Sequence, residues 1–273
     1  GYGLRYQDTF FSIMENILNN LNYKSYLISY ALSGTSIHGS FDDFKKIFLK
    51  DISKKEILLY QFNYNDITPI QNSKLNWIDK DLTILQKIIL ETGKLRYSLL
   101  NKSTLLSLIQ FNIGKIRYKK NSSCEKRGIY ALGPYSYSYG AKGFEKKSKE
   151  VWSMFENKIL EAKNFSKKND MDFFVLIIPT ILDFEVEGNS NPYGYDKKCA
   201  TIDPLKKLVE LLNKNEIHYL DPTNYMQETF NNYSLENNPV SPFFDLDSNH
   251  PNIFGSRVLG EYFAIKLLDN LSE

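Results

Sequence analysis

Residues 173–178, Phe-Phe-Val-Leu-Ile-Ile, run without a polar side chain and stop at Pro179. A strand of this kind offers no face to water and must be covered on both sides, the condition of strands in parallel sheets. Residues 25–31, 56–62 and 217–220 read as further apolar strands, the last one short. Helical periodicity fills the intervals, over about 9–21, 41–49, 145–168 and 204–214. Strands alternating with helices argue an α/β fold with a parallel sheet between helical layers. In such sheets ligands bind beyond the carboxyl ends of the strands. Gly34, Asn65 and the loop after Pro179 lie there.

The chain of 273 residues suits one domain over 1–273 with a sizeable insertion. Residues 71–144 break the alternation and are expected to form a cap-like helical insertion, with helices at 81–100 and 105–118 and a loop rich in Gly, Ser and Tyr at 128–140. Another long loop, 183–201, follows the third strand. Net charge is +2, but residues 115–149 alone carry +8. A basic segment on a mildly acidic body suits an anionic partner or a solvated face. Cys124 and Cys199 are too few for a zinc site, and fit either a reduced interior or a single disulfide outside the cell. No run is long and apolar enough to span a bilayer.

The chemistry-bearing stretch is 244–255, Phe-Asp-Leu-Asp-Ser-Asn-His-Pro-Asn-Ile-Phe-Gly. Asp247 and His250 stand three apart ahead of a helix, with Pro251 fitting its first position. The core face of that helix is expected to carry Ile253, Phe254, Val258, Leu259, Phe263, Ile265, Leu267 and Leu268. A carboxylate on one imidazole nitrogen fixes the tautomer and leaves the other nitrogen to act as base. The alternating acids imitate a calcium loop, but His250 stands where that loop needs Gly and Ser256 where it needs Glu. Gly34 can offer a backbone N–H without a side chain in the way, and Asn65 a side-chain N–H, as donors to an oxyanion. Asp66 is expected to hold the loop around Asn65. His218 reads as structural and His38 as a bystander near the mouth. Ser33 and Ser36 are serines without a placed base, and Ser33 precedes the glycine whose N–H is needed. No glycine-rich dinucleotide fingerprint or His-Glu-x-x-His zinc signature is present.

In order and spacing these blocks resemble the SGNH (GDSL-type) hydrolases. Residues 29–34, Ser-Tyr-Ala-Leu-Ser-Gly, resemble the second block, with Ser29 where the family usually has Asn. Asn63-Tyr64-Asn65-Asp66 resembles the third, Gly-x-Asn-Asp, with Asn63 in place of the Gly. Asp247-Ser248-Asn249-His250 matches the fifth. Gly1-Tyr2-Gly3 followed by Asp8-Thr9-Phe10 is similar to what comes after the first block, whose serine is the nucleophile. The resemblance spans both ends of the chain and leaves out the insertion.

It implies a three-layer flavodoxin-like fold and ester hydrolysis without metal or cofactor. His250 and Asp247 are then the catalytic pair, Gly34 and Asn65 the oxyanion hole, and the nucleophile a serine ahead of Gly1. The expected substrate is a small-molecule, polysaccharide or lipid ester, anionic if the basic segment takes part. No nucleic acid is expected. A membrane tether outside these residues and an extracytoplasmic location follow from the resemblance alone. Two other functions fit the same residues: an acyltransferase that passes the acyl group to a sugar hydroxyl, and a non-catalytic binding module.

Overall fold

The computed structural model describes residues 4–23, 25, 27, 36–48, 57–67, 124, 136–184, 197–237, 243–244 and 247–271. In chain order these form α1 (Phe10–Asn20), α2 (Ile37–Phe48), β1 (Ile57–Phe62), α3 (Glu145–Lys168), β2 (Asp172–Ile177), α4 (Pro204–Lys214), β3 (His218–Leu220), α5 (Thr223–Asn237), β4 (Phe243–Phe244), β5 (Asp247–Pro251) and α6 (Ile253–Leu271). The insertion up to residue 123, with both its expected helices, lies outside the described residues.

Strands β1, β2 and β3 form a parallel sheet in that order. Pairing runs from Ile57 beside Asp172 to Phe62 beside Ile177, and from Phe174 beside His218 to Leu220 beside Leu176. Successive side chains of a strand point to opposite faces, and two cores follow. Phe173, Val175 and Ile177 face α2, α3 and α4, meeting Phe41, Phe155 and Leu208. Phe174, Leu176 and Ile178 face α1, α5 and α6, meeting Met14, Met226 and Phe263. Both faces of β2 are therefore dry, as its apolar run requires. The chain is an α/β protein with helices on both sides of a parallel sheet. Along β1, residues 57–61 are only half-buried, and among the described residues β1 pairs with β2 alone.

Several expectations change. Of the strand expected at 25–31, Ser25 and Leu27 have no strand pairing; residues 26 and 28–31 lie outside the described residues. Leu27 instead packs on the α1 side, its N–H donating to Glu15 Oε1 at 2.8 Å. Helix α2 starts at Ile37, four residues before its expected start. Helix α5 is an addition.

The stretch before α6 is corrected too. Residues 247–251 are not a turn with Pro251 opening the helix; they are strand β5, antiparallel to β4. Asn252 caps α6, its Oδ1 accepting the N–H of Gly255 at 2.9 Å while its Nδ2 donates to the carbonyl of Phe243 at 3.1 Å. One side chain thus closes the hairpin and starts the helix. Along α6, Val258, Leu259, Phe263 and Leu267 are buried, but Ile253 and Ile265 are exposed by 56% and 50%. Against α1, Phe263 meets Phe10 edge-on with ring centres 5.8 Å apart, and Gly260 lets the two helices approach closely. A Cβ at Gly260 would stand 2.7 Å from Ile13 Cγ2 and 2.9 Å from the Phe10 carbonyl, so the helices touch there through backbone.

Candidate functional site

Each parallel strand ends in a turn closed by an aspartate. After β1, the carboxylate of Asp66 accepts the N–H of Asn63 at 2.9 Å and the hydroxyl of Tyr60 at 3.3 Å. This clamps the short turn Tyr64–Ile67, as expected of Asp66. Burial pushes the Asp66 carboxyl up to about 7, against the pull of those two donors. After β2, Asp183 accepts the N–H and hydroxyl of Thr180 at 2.7 and 3.2 Å, and burial raises it to about 6. After β3, Asp221 accepts the N–H and hydroxyl of Thr223 at 3.0 and 2.6 Å.

Strand β5 lies against the turn Ile181–Asp183. His250, half-buried, is thereby carried to the carboxyl end of the parallel sheet. Asn65 sits in the clamped turn at the end of β1, the neighbouring strand. Asp247 belongs to β5, opposite Phe244. The backbones of Asp247, His250 and Asn65 are thus on one edge. The side chains of Asp247 and Asn65, and Gly34 as a whole, lie outside the described residues, as does Ser33.

No family model, curated protein or solved structure compared with the chain matches it.

Sequence reasoning passes over Asp183 and two tyrosines beside it. Tyr139 donates its hydroxyl to Asp183 Oδ1 at 3.5 Å, and Tyr64 is buried with its hydroxyl toward the same acid, outside normal hydrogen-bond geometry. Burial, and next the charge of Asp183, raise the Tyr64 phenol well above its ordinary value. A Thr followed three residues later by Asp, just past an apolar strand, was the available signal for the Asp183 turn. Tyr139 belongs to the segment that closes the insertion, where Ser136 to Gly140 are buried. Ser148 and Trp152 donate to the carbonyls of Tyr137 and Ser138, at 2.5 and 3.1 Å. Gly140 has a φ of +58°, and a Cβ there would stand 2.6 Å from Thr201 Oγ1. Its carbonyl accepts that hydroxyl at 2.6 Å. Beside this strap, Cys124 and Cys199 form a disulfide, which resolves the open question of their pairing.

His218 lies apart from this edge. His218 begins β3 at the amino end, its ring 5.3 Å from that of Phe174. It borders an open hollow of about 410 Å³ with Lys163, Asp172 and Glu216, on the opposite end of the sheet from the clamped turns. His38, on α2, is lowered by burial and next by the Lys158 ammonium; its Nε2 is buried with no partner among the described residues. Ser36 is buried at the start of α2, and its Oγ likewise has none. Among the described residues no three His, Cys, Asp or Glu side chains are grouped to hold a metal.

Proposed function

We propose that this chain is the body of an SGNH-type serine esterase, acting on an ester of a carbohydrate or lipid, with a three-layer flavodoxin-like fold. The observation that supports it is the packing of β5 on the turn after β2, which brings His250 to the sheet edge that also carries the Asn65 turn. The sequence motif alone demands no such shared edge, since residues 65 and 250 are far apart in the chain.

In this reading a serine hydroxyl attacks the ester carbonyl while His250 takes its proton. Asp247 holds the ring and stabilises the imidazolium. The N–H of Gly34 and the amide of Asn65 receive the oxyanion. His250 then returns the proton to the leaving alcohol, and water repeats the cycle on the acyl-enzyme. Asp66 serves by fixing the Asn65 turn. The serine is the one that the resemblance puts ahead of Gly1. The disulfide favours an oxidising, extracytoplasmic compartment, where such bonds persist.

The test is labelling of the protein, with its natural upstream residues, by a serine-reactive fluorophosphonate. The expected result is one labelled serine upstream of Gly1, with labelling lost in His250→Ala. Unchanged labelling in a folded His250→Ala protein would overturn the assignment.

A further inference from the structure

Helices α3 and α4 precede β2 and β3 and run antiparallel to them, so both helix N-termini point to the carboxyl edge where the candidate site lies. Lysines gather at those two ends. Lys146 and Lys149 are one turn apart on α3, exposed, and in line with Trp152. From α4, the ammonium of Lys207 sits 4.9 Å from the centre of the Trp152 ring, close enough to Lys149 for the two charges to repel. Lys142 joins them: its N–H donates to the carbonyl of Cys199 at 3.3 Å, on the strap whose Tyr139 reaches Asp183. None of these four lysines makes an ion pair among the described residues.

The acids nearby are held elsewhere. Glu150 pairs with Lys147 and Glu156 with Lys214, each at 3.0 Å, while Glu145 accepts the N–H of Gly143 at 3.0 Å and also faces the charge of Lys142. Glu156 and Glu210 face Lys207 and offset part of its charge. The helix N-termini add positive potential of their own. Like charges crowded around a half-buried lysine repel one another, and an anion laid across them relieves that repulsion.

We propose that this ledge binds a carboxylated polysaccharide and delivers its ester groups to the candidate site. The inference rests on the esterase reading for delivery, but not for binding. Lysines one turn apart on a helix have Cβ atoms about 5–6 Å apart, and such a row suits a repeating anion better than a single one. The ledge offers its charges as lysine ammoniums, point charges without the planar fork of arginine. It has no exposed aromatic on which a base could stack. Nor do residues 142–149, 197–198 and 206–207 expose a large apolar side chain that could enter a bilayer. The last two absences, among the described residues, favour an acidic glycan over single-stranded nucleic acid and over an inserting membrane contact.

The experiment is affinity electrophoresis of the protein through gels holding polygalacturonate or neutral dextran, at rising salt. Retention by polygalacturonate alone is expected, weakening about tenfold between about 50 and about 300 mM NaCl because exposed charges are screened. The triple variant K142Q/K146Q/K149Q should lose most of that retention with an unchanged melting temperature. K167Q/K168Q, at the far end of α3, should keep it. No retention by polygalacturonate, retention insensitive to salt, or equal retention of the triple variant would overturn the ledge. Tighter binding to single-stranded DNA or to phosphatidylserine vesicles would do the same. Binding is read without turnover. Loss of fluorophosphonate labelling with retention intact would therefore sink the esterase and leave the ledge standing.

Discussion

At the scale of single residues, the turn after β1 ties a structural acid to a proposed catalytic amide. Asp66 accepts the Asn63 N–H and Tyr60 hydroxyl from within the turn that carries Asn65. Its carboxyl is raised to about 7, so the fold favours its protonated form. A raised carboxyl contributes stability that is complete below its unfolded value of about 4 and is lost as pH climbs through about 7. Asp183, raised to about 6, acts in the same direction. Urea midpoints should therefore fall between pH 4 and pH 8, and Asp66→Asn should flatten part of that fall. The Asn carbonyl still accepts both donors and never has to ionise. A steeper fall in the variant would mean that the ionised carboxylate is the form the turn needs. Loss of the Asn65 amide, in Asn65→Ala, should cost roughly 3 kcal/mol of transition-state stabilisation, mostly in kcat. A change confined to KM would make Asn65 a binding residue only.

At the scale of elements, legibility followed burial. Strand β2 is legible because both its faces are dry, α3 because its apolar period is long, and α4 because Asp203 and Pro204 mark its start. Helix α5 was missed because its apolar anchors are few: Met226 and Phe230 bury on an otherwise polar segment. The β4–β5 hairpin was missed because Phe243 and Phe244 are too short a run for any period to show. Hydrophobicity puts Ile253 and Ile265 in the core, yet both are exposed, while α6 meets α1 through Phe263 and through Gly260, whose role hydrophobic periodicity does not weigh. Two substitutions test this account. Asn252→Ala removes the cap on α6 and should cost about 1 kcal/mol in denaturant unfolding. Gly260→Val should cost more than Ile265→Ser by several-fold, because a branched side chain must push α1 away whereas Ile265 is half in water. Equal losses would mean that α6 does not meet α1 through that glycine.

At the scale of the whole molecule, the insertion is fastened where it ends. The strap at 136–141 lies buried between α3 and the segment 197–202, and its Tyr139 touches Asp183 at the carboxyl edge. The disulfide joins Cys124, inside the insertion, to Cys199 beside the strap, closing a loop of 75 residues. Cross-linking so long a loop limits the unfolded chain, and losing such a bond costs about 2–5 kcal/mol. The folded state adds a local term. Cys199 is 1% exposed, and the neighbouring Lys197 donates to the Leu182 carbonyl, next to Asp183. Replacing both cysteines by serine should therefore lower the denaturation midpoint and speed amide exchange in 136–144, with β2 and β3 least affected. If exchange instead rose evenly over the sheet and the strap alike, the disulfide would act on the unfolded chain alone. The strap would then be held in place by its hydrogen bonds to Thr201, Ser148 and Trp152, without help from the bond between the sulfurs.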